Sequence, residues 1–251
     1  MASNFDFLSK DFPVLANFGQ LAEKYCYSDP NSCLMKLGMI GETIVNLMFT
    51  YDRIPFPEEN TAVKRIDALY REGLLTQDLV EILHTLRKVR NKAVHENYSS
   101  EADGLALLPM AHSLCEWFMQ TYGDWNYQHH EFVMPIPAQQ VRAADKAAEE
   151  QQETRLAQEA EAKAAQTEAI SKDSRRKRVS QTASQRQRTE AETRFLIDQQ
   201  LRQVGWEADT ENLRFSKGTR PAKGRNMAIA EWPTDSTVGN RGRADYALFI
   251  G

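Results

Sequence analysis

The sequence contains little cysteine and no long hydrophobic run. Its three cysteines, Cys26, Cys33 and Cys115, include no Cys-x-x-Cys pair, which argues against a disulfide framework and against a zinc ribbon. The N-terminus lacks a basic segment followed by an apolar one, so we expect no secretory signal. No apolar run approaches the roughly 20 residues that a membrane-spanning helix needs. We therefore predict a cytoplasmic protein with no membrane contact.

An excess of positive charge is also missing. The chain has 31 Lys and Arg against 35 Asp and Glu, which gives a formal net charge of -4. This balance excludes a protein that is basic over its whole surface, but it leaves room for a local basic patch that contacts nucleic acid.

Several common catalytic motifs do not occur. There is no GxxxxGK[ST] loop for ATP phosphates, no GxGxxG that opens a helix after a strand, no HExxH and no GxSxG. Within this chain we therefore expect no P-loop, no dinucleotide fold, no zincin site and no serine hydrolase elbow. His129 and His130 have no neighbour at metal-ligand spacing, so a metal site is not expected there.

The composition divides the 251 residues into three parts. Residues 1–137 hold most of the aromatic and branched apolar residues. Residues 138–188 contain no aromatic residue, no Gly and no Pro, and are rich in Ala, Gln and charged residues. Aromatic residues, Gly and Pro return in residues 189–251. The composition predicts a first globular part, a spacer and a second globular unit.

The first part has helical periodicity. Asp29-Pro30 is a typical helix start, and apolar residues then recur at spacings of three and four. Gly41 lies near that apolar stripe, which suggests close helix contact. Similar patterns over residues 62–71, from Thr76 onward and over residues 101–122 predict a mainly α bundle of four or five helices.

The middle part lacks the apolar seam of a coiled coil. We interpret it as a solvated, charged spacer that is flexible or helical. Its second half is basic, which offers two functions: a simple tether, or a contact with the phosphates of nucleic acid. The candidate nucleic-acid-binding residues are Arg175, Arg176, Lys177, Arg178, Arg186 and Arg188.

The third part begins with an amphipathic helix. Thr189 and Glu192 have the spacing of a capping box, and Gly205 marks the helix end. Extended segments are predicted over residues 213–216, 228–232 and 244–250. A helix followed by strands indicates the start of an α/β domain.

Asp245 is the main candidate for chemistry in this part. It is the one acid in the stretch from Gly242 to Ile250. Burying a carboxylate in a strand is costly unless it is paired or binds a metal, so Asp245 could bind Mg²⁺ with help from Glu192. The alternatives are a partly exposed Asp at a strand edge and a capping role for Glu192.

Arg90 and His95 form a second candidate pair. Five positions separate them, which places them about 140° apart around a helix. Arg could stabilise phosphate charge and His could act as acid or base on an RNA 2′-hydroxyl. The alternative is a polar network at a helix end.

These residues resemble a known family. The segments Glu192–Trp206, Leu213–Gly218, Ile229–Pro233 and Gly242–Phe249 are similar to the nuclease domain in R (restriction, HsdR) subunits of type I restriction-modification enzymes. Ser28–Ser32 and Arg90–Glu96 are similar to the helical module that precedes it, which implies that residues 1–137 are a helical accessory or docking domain. The resemblance implies a PD-(D/E)xK nuclease core that hydrolyses DNA.

In such a core Asp245 is the first metal-binding acid and Glu192 is the helix acid. An acid-x-Lys strand is expected after Gly251, so residues 189–251 would be an incomplete nuclease domain that is inactive alone. The complete subunit would use Mg²⁺ and ATP, with the ATP site outside this chain. Its partners would be double-stranded DNA and the modification and specificity subunits.

The spacing of Arg90 and His95 also resembles the HEPN helical superfamily, some members of which are RNases. This resemblance implies an alternative: an RNA-binding or RNase module in residues 1–137. A third possibility is a non-catalytic domain that docks on partner subunits.

Overall fold

The computed structural model describes residues 3–136, 143–167, 170–185, 190–234 and 242–251. The chain divides into two compact units, residues 1–187 and residues 188–251. The first is helical and the second combines a helix with a small sheet, as the sequence predicted.

The first unit is built around a long central helix. This helix, α2, packs against α1, α4, α5 and α6, while α3 packs on α4 and α7 on α5. A short 3₁₀ helix, Asp6–Leu8, precedes them. The bounds are α1 Pro13–Tyr25, α2 Pro30–Asp52, α3 Ala62–Arg71, α4 Gln77–His95, α5 Glu101–Tyr122, α6 Ala143–Gln166 and α7 Lys172–Gln185.

Side-chain caps fix the starts of several helices. Asp29 accepts from the backbone N–H of Ser32 at 3.2 Å, and Pro30 occupies the first turn of α2. Thr61 caps α3 in the same way, and Ser100 caps α5. Thr76 stands at the N-cap of α4 without a side-chain cap bond. The side chains of Asp29, Thr61 and Ser100 each satisfy an N–H that has no partner inside its helix.

The expectation that no apolar segment is long enough to span a membrane is corrected at helix α2. This helix is long and apolar enough to cross a membrane by length and composition. In the structure 61% of that apolar window is buried inside the first unit. A core helix that is surrounded by other helices needs the same apolar composition as a spanning helix, so composition does not distinguish the two.

The predicted solvated spacer is wrong for its described helices, because α6 and α7 pack on the bundle. Helix α6 contacts α1 and α2 and buries Ala160 and Ala164, while α7 contacts α5 and buries Val179. Lys36 pairs with Glu153 of α6 at 2.5 Å. Small residues and long paired side chains form these interfaces, so a search for large apolar residues does not detect them.

The second unit starts with helix α8, Glu190–Gln203, which ends near Gly205 in a left-handed conformation at φ 90°. Three strands follow: β1 Glu207–Ala208, β2 Met227–Thr234 and β3 Gly242–Phe249. Their order is β1-β2-β3, with β1 parallel and β3 antiparallel to β2. The predicted helix and the last two strands are confirmed.

The predicted strand over residues 213–216 is wrong. Phe215–Lys217 forms a 3₁₀ helix, and only Arg214 pairs with the sheet, through an isolated bridge to Ala230. Alternation of apolar and polar residues does not specify a strand when a turn at Gly218 (φ 84°) redirects the chain immediately afterwards.

Candidate functional site

Asp245 lies near the middle of β3, opposite Glu231 of β2. The antiparallel register pairs Ala230 with Tyr246 and Trp232 with Ala244, which places Glu231 and Asp245 across from each other. Glu231 has φ 53°, a left-handed conformation that interrupts the regular ladder at this point. The structure therefore brings two carboxylates to adjacent strand positions.

Arginine side chains surround this acidic pair. Glu231 lies 3.8 Å from Arg194 of α8, 3.5 Å from Arg214 and 3.6 Å from Arg243. Arg194 also lies 3.8 Å from the carboxylate of Asp245. These positive charges offset the repulsion between the two acids. The Asp245 side chain is 89% exposed, so solvent screens its ion pair and leaves its oxygens accessible.

Glu192 lies in the first turns of α8 and is 6% exposed. Arg194, two residues further along the helix, reaches Asp245, so a side chain of the helix that carries Glu192 contacts β3. The two predicted acids thus differ in environment, since one is buried on the helix and the other is open to solvent on the strand. Thr189, the predicted cap partner of Glu192, lies outside the described residues.

The described residues do not complete a magnesium site. They contain no group of three or more His, Cys, Asp or Glu placed to hold a metal ion. Asp245 supplies an accessible oxygen ligand of the kind that Mg²⁺ prefers, but Mg²⁺ is held by several such ligands together with water. Neighbouring guanidinium groups also compete with Mg²⁺ for the negative charge of Asp245.

A polar cluster beside Asp245 was missed by the sequence analysis. Asp198 of α8 accepts from the backbone N–H and the hydroxyl of Thr210, at 2.7 and 2.9 Å. The hydroxyl of Tyr246 lies 3.2 Å from Asp198. Burial and the Asp198 carboxylate raise the pKa of Tyr246 to about 12, so the phenol stays protonated. The cluster ties β3 to α8 at the residue next to Asp245.

The predicted nucleic-acid-binding residues divide into separate groups. The prediction that Arg175 contacts phosphate is wrong, because its side chain is 5% exposed and pairs with Asp52 at 2.8 Å. Arg176 is exposed and donates to the carbonyl of Glu72, and Lys177 is exposed. Arg178 lies 5.3 Å from the ring centre of Trp125. Arg186 and Arg188 lie outside the described residues.

Arg90 and His95 are not brought together by any contact among the described residues. Arg90 pairs with Glu42 at 3.1 Å, and its stem lies against Gly38. His95 is the exposed last residue of α4. The nearby polar network uses Asn31 instead, whose side chain donates to the carbonyls of Ala93 and Tyr98.

Comparison with known proteins assigns the family. Residues 20–159 match the model described as "Domain of unknown function (DUF4145)", and residues 207–251 match "Type I restriction enzyme EcoKI endonuclease subunit second domain". The chain is 32% identical to the type I restriction enzyme EcoKI endonuclease subunit of Escherichia coli (strain K12), in an alignment that covers 99% of the chain and 26% of that relative. The chain belongs to the DUF4145 family, and over nearly its whole length it is similar to part of a type I restriction endonuclease (R) subunit.

The resemblance found in the sequence to the N-terminal region of R subunits is therefore confirmed. The chain spans about a quarter of the length of the E. coli relative. The match over residues 207–251 covers β1 to β3 with Asp245, whereas Glu192 lies before it. No solved structure matches the chain.

Proposed function

We propose that the chain is part of the DNA-cleaving, ATP-dependent subunit of a type I restriction-modification system. In the complete subunit Asp245 is one carboxylate ligand of Mg²⁺, and Glu192 is the helix acid of the same site. The observation that carries the proposal is the accessible carboxylate of Asp245, on a strand that Arg194 of α8 contacts and within the residues that match the R-subunit second domain.

The chemistry of the site supports a nuclease. A bound Mg²⁺ would neutralise phosphate charge and activate water during phosphodiester hydrolysis. This chain supplies an oxygen ligand at Asp245, and the neighbouring residue Tyr246 is bonded to Asp198 of α8. Arg243 is exposed beside it and could pair with a DNA phosphate.

Further ligands are needed to complete the site. Strand β3 lies at the edge of the described sheet and exposes Leu248, and Ile250 directly after the strand is also exposed. A further strand of the complete subunit, with an acid-x-Lys sequence, would pair with this edge and supply the missing groups. We infer that the chain alone does not cleave DNA.

Supercoiled plasmid tests both parts of the proposal. With Mg²⁺, the 251-residue chain is expected to produce no nicking. In the complete subunit with its partners, Asp245→Asn is expected to abolish cleavage, while the exposed variant Glu211→Gln cleaves like the wild type. Cleavage by Asp245→Asn at the wild-type rate would refute the assigned role. If the chain alone nicked the plasmid and Asp245→Ala abolished this nicking, only the inferred inactivity of the chain alone would be refuted.

The partners follow from the same proposal. Double-stranded DNA and the modification and specificity subunits would bind the complete subunit in the cytoplasm, and its ATP site would lie outside this chain. The first unit is the candidate docking domain. Pull-down of modification and specificity subunits by the 251-residue chain tests this role, and failure of both to bind would contradict it.

A further inference from the structure

A groove of about 230 Å³ opens between α2, α3 and α4 of the first unit. Gly38 and Gly41 of α2 line it, and so do the first residues of α3. The lack of side chains at the two glycines lets Arg90 and Leu86 of α4 pack close to α2 at this edge of the groove. Three arginines, Arg65, Arg87 and Arg90, reach the groove from α3 and α4.

The positive charge of the three arginines exceeds the negative charge of the acidic side chains that line the groove. Arg90 pairs with Glu42, the acid that lines the groove. Within the described part of the chain, Arg65 donates only to neutral side-chain oxygens, those of Asn60 and Asn46, each at 2.6 Å. Arg87 makes no ion pair with any residue that the structure describes. Two guanidinium charges therefore lack a carboxylate partner among the residues that the structure describes.

Arg87 also has an unsatisfied donor. Its Nε is buried and has no hydrogen-bond partner among the described residues. A buried guanidinium N–H without an acceptor is unfavourable, and because Arg87 lines the groove its positive charge favours an anion there. The N-terminal turn of α3 forms another wall, and the backbone N–H groups at a helix start add a partial positive charge.

We propose that this groove binds a phosphate group, either inorganic phosphate or the phosphate of a small monoester such as a mononucleotide. Guanidinium groups that approach from two helices match the several oxygens of a tetrahedral dianion. The volume suits a phosphate with a small attached group and is too small for a nucleic acid duplex. The site is separate from the proposed nuclease site, since it lies wholly in the first unit.

Calorimetric titration of the full chain tests the proposal. Phosphate and AMP are the ligands, and potassium chloride at matched ionic strength is the control. We expect saturable binding of phosphate, and at least tenfold weaker binding by Arg87→Gln and by Arg65→Gln. Arg71→Gln is the matched control, because it removes an exposed arginine from the other end of α3, and it should bind like the wild type.

The two sources of phosphate are distinguished in the same experiment. Tighter binding of AMP than of phosphate assigns a nucleotide, and equal affinity assigns the free anion. Absence of binding by both at millimolar concentration would overturn the proposal. It would also fail if affinity were unchanged in a folded Arg87→Gln or Arg65→Gln variant, or if Arg71→Gln weakened binding equally. The nuclease proposal is unaffected by these results.

Discussion

Arg175 of α7 donates to the carboxylate of Asp52 at the end of α2, with Nε 2.8 Å from Oδ1. A second guanidinium nitrogen donates to the carbonyl of Thr121 at 2.6 Å, and the group lies 3.9 Å from the ring centre of Tyr122. The hydroxyl of Tyr122 donates to the other carboxylate oxygen at 2.7 Å. One buried arginine thus links α7 to both α2 and α5.

Replacement of this arginine is expected to destabilise the first unit strongly. Arg175→Gln leaves the buried carboxylate of Asp52 without its cation, a change that typically costs about 3–5 kcal/mol. Chemical denaturation of the full chain, followed by far-UV circular dichroism, measures the loss. Arg176→Gln is the matched control, since its exposed ion pair is worth at most about 1 kcal/mol. Equal losses in the two variants would contradict the account.

The same pair shows why the basic segment was only partly predictable. The sequence gives the run from Arg175 to Arg178, and charge alone suggests a solvated face. Burial of Arg175 depends on Asp52, which is 123 residues away in sequence. No local pattern indicates that pairing. The helix starts at Asp29 and Ser100, in contrast, depend on contacts within three residues, and these are visible in a single sequence.

The candidate site also combines a residue that the sequence alone reveals with residues that only the fold reveals. Asp245 stands out because it is a lone acid in an apolar strand, and this signal is local. Glu231 on the neighbouring strand could not be recognised, because its position across from Asp245 depends on the register between β2 and β3. Asp198 was missed because a polar residue on a helix is usually solvated, and only the fold shows that Thr210 and Tyr246 enclose it.

Two glycines of α2 provide a matched pair for testing helix contact. A Cβ at Gly38 would lie 2.2 Å from the Cβ of Arg90, whereas a Cβ at Gly41 would meet Leu86 at 3.4 Å. Gly38→Ala should therefore force α2 and α4 apart and cost about 1–3 kcal/mol. Gly41→Ala should be neutral, or stabilising by up to about 1 kcal/mol through helix propensity. Thermal unfolding of both variants measures the difference, and the opposite order would contradict this packing.

His112 makes the first unit sensitive to mild acid. It is buried against Phe5, Phe7 and Phe132. Burial lowers its pKa although the carboxylate of Glu116 acts in the opposite direction. The unfolded state therefore binds the proton more readily, and stability falls as the pH drops below about 6.5.

The pH profile of His112→Phe tests this effect. The melting temperature of the variant should fall less steeply between pH 6.5 and pH 5 than that of the wild type. Some slope should remain, because burial also lowers the pKa of His84. The exposed variant His95→Gln serves as the control and should keep the wild-type slope. An unchanged slope in His112→Phe would show that the acid response has another origin.

The polar cluster around Asp198 should determine the stability of β3. Asp198→Ala leaves the buried N–H of Thr210 without its acceptor and removes the partner of Tyr246, a loss of about 1–3 kcal/mol. Tyr246→Phe removes only the hydroxyl contacts and should cost less. Hydrogen exchange of β3 amides in the full chain measures both losses, with the exposed variant Glu211→Ala as the control. Equally slow exchange in Asp198→Ala and the control would show that the sheet does not depend on this cluster.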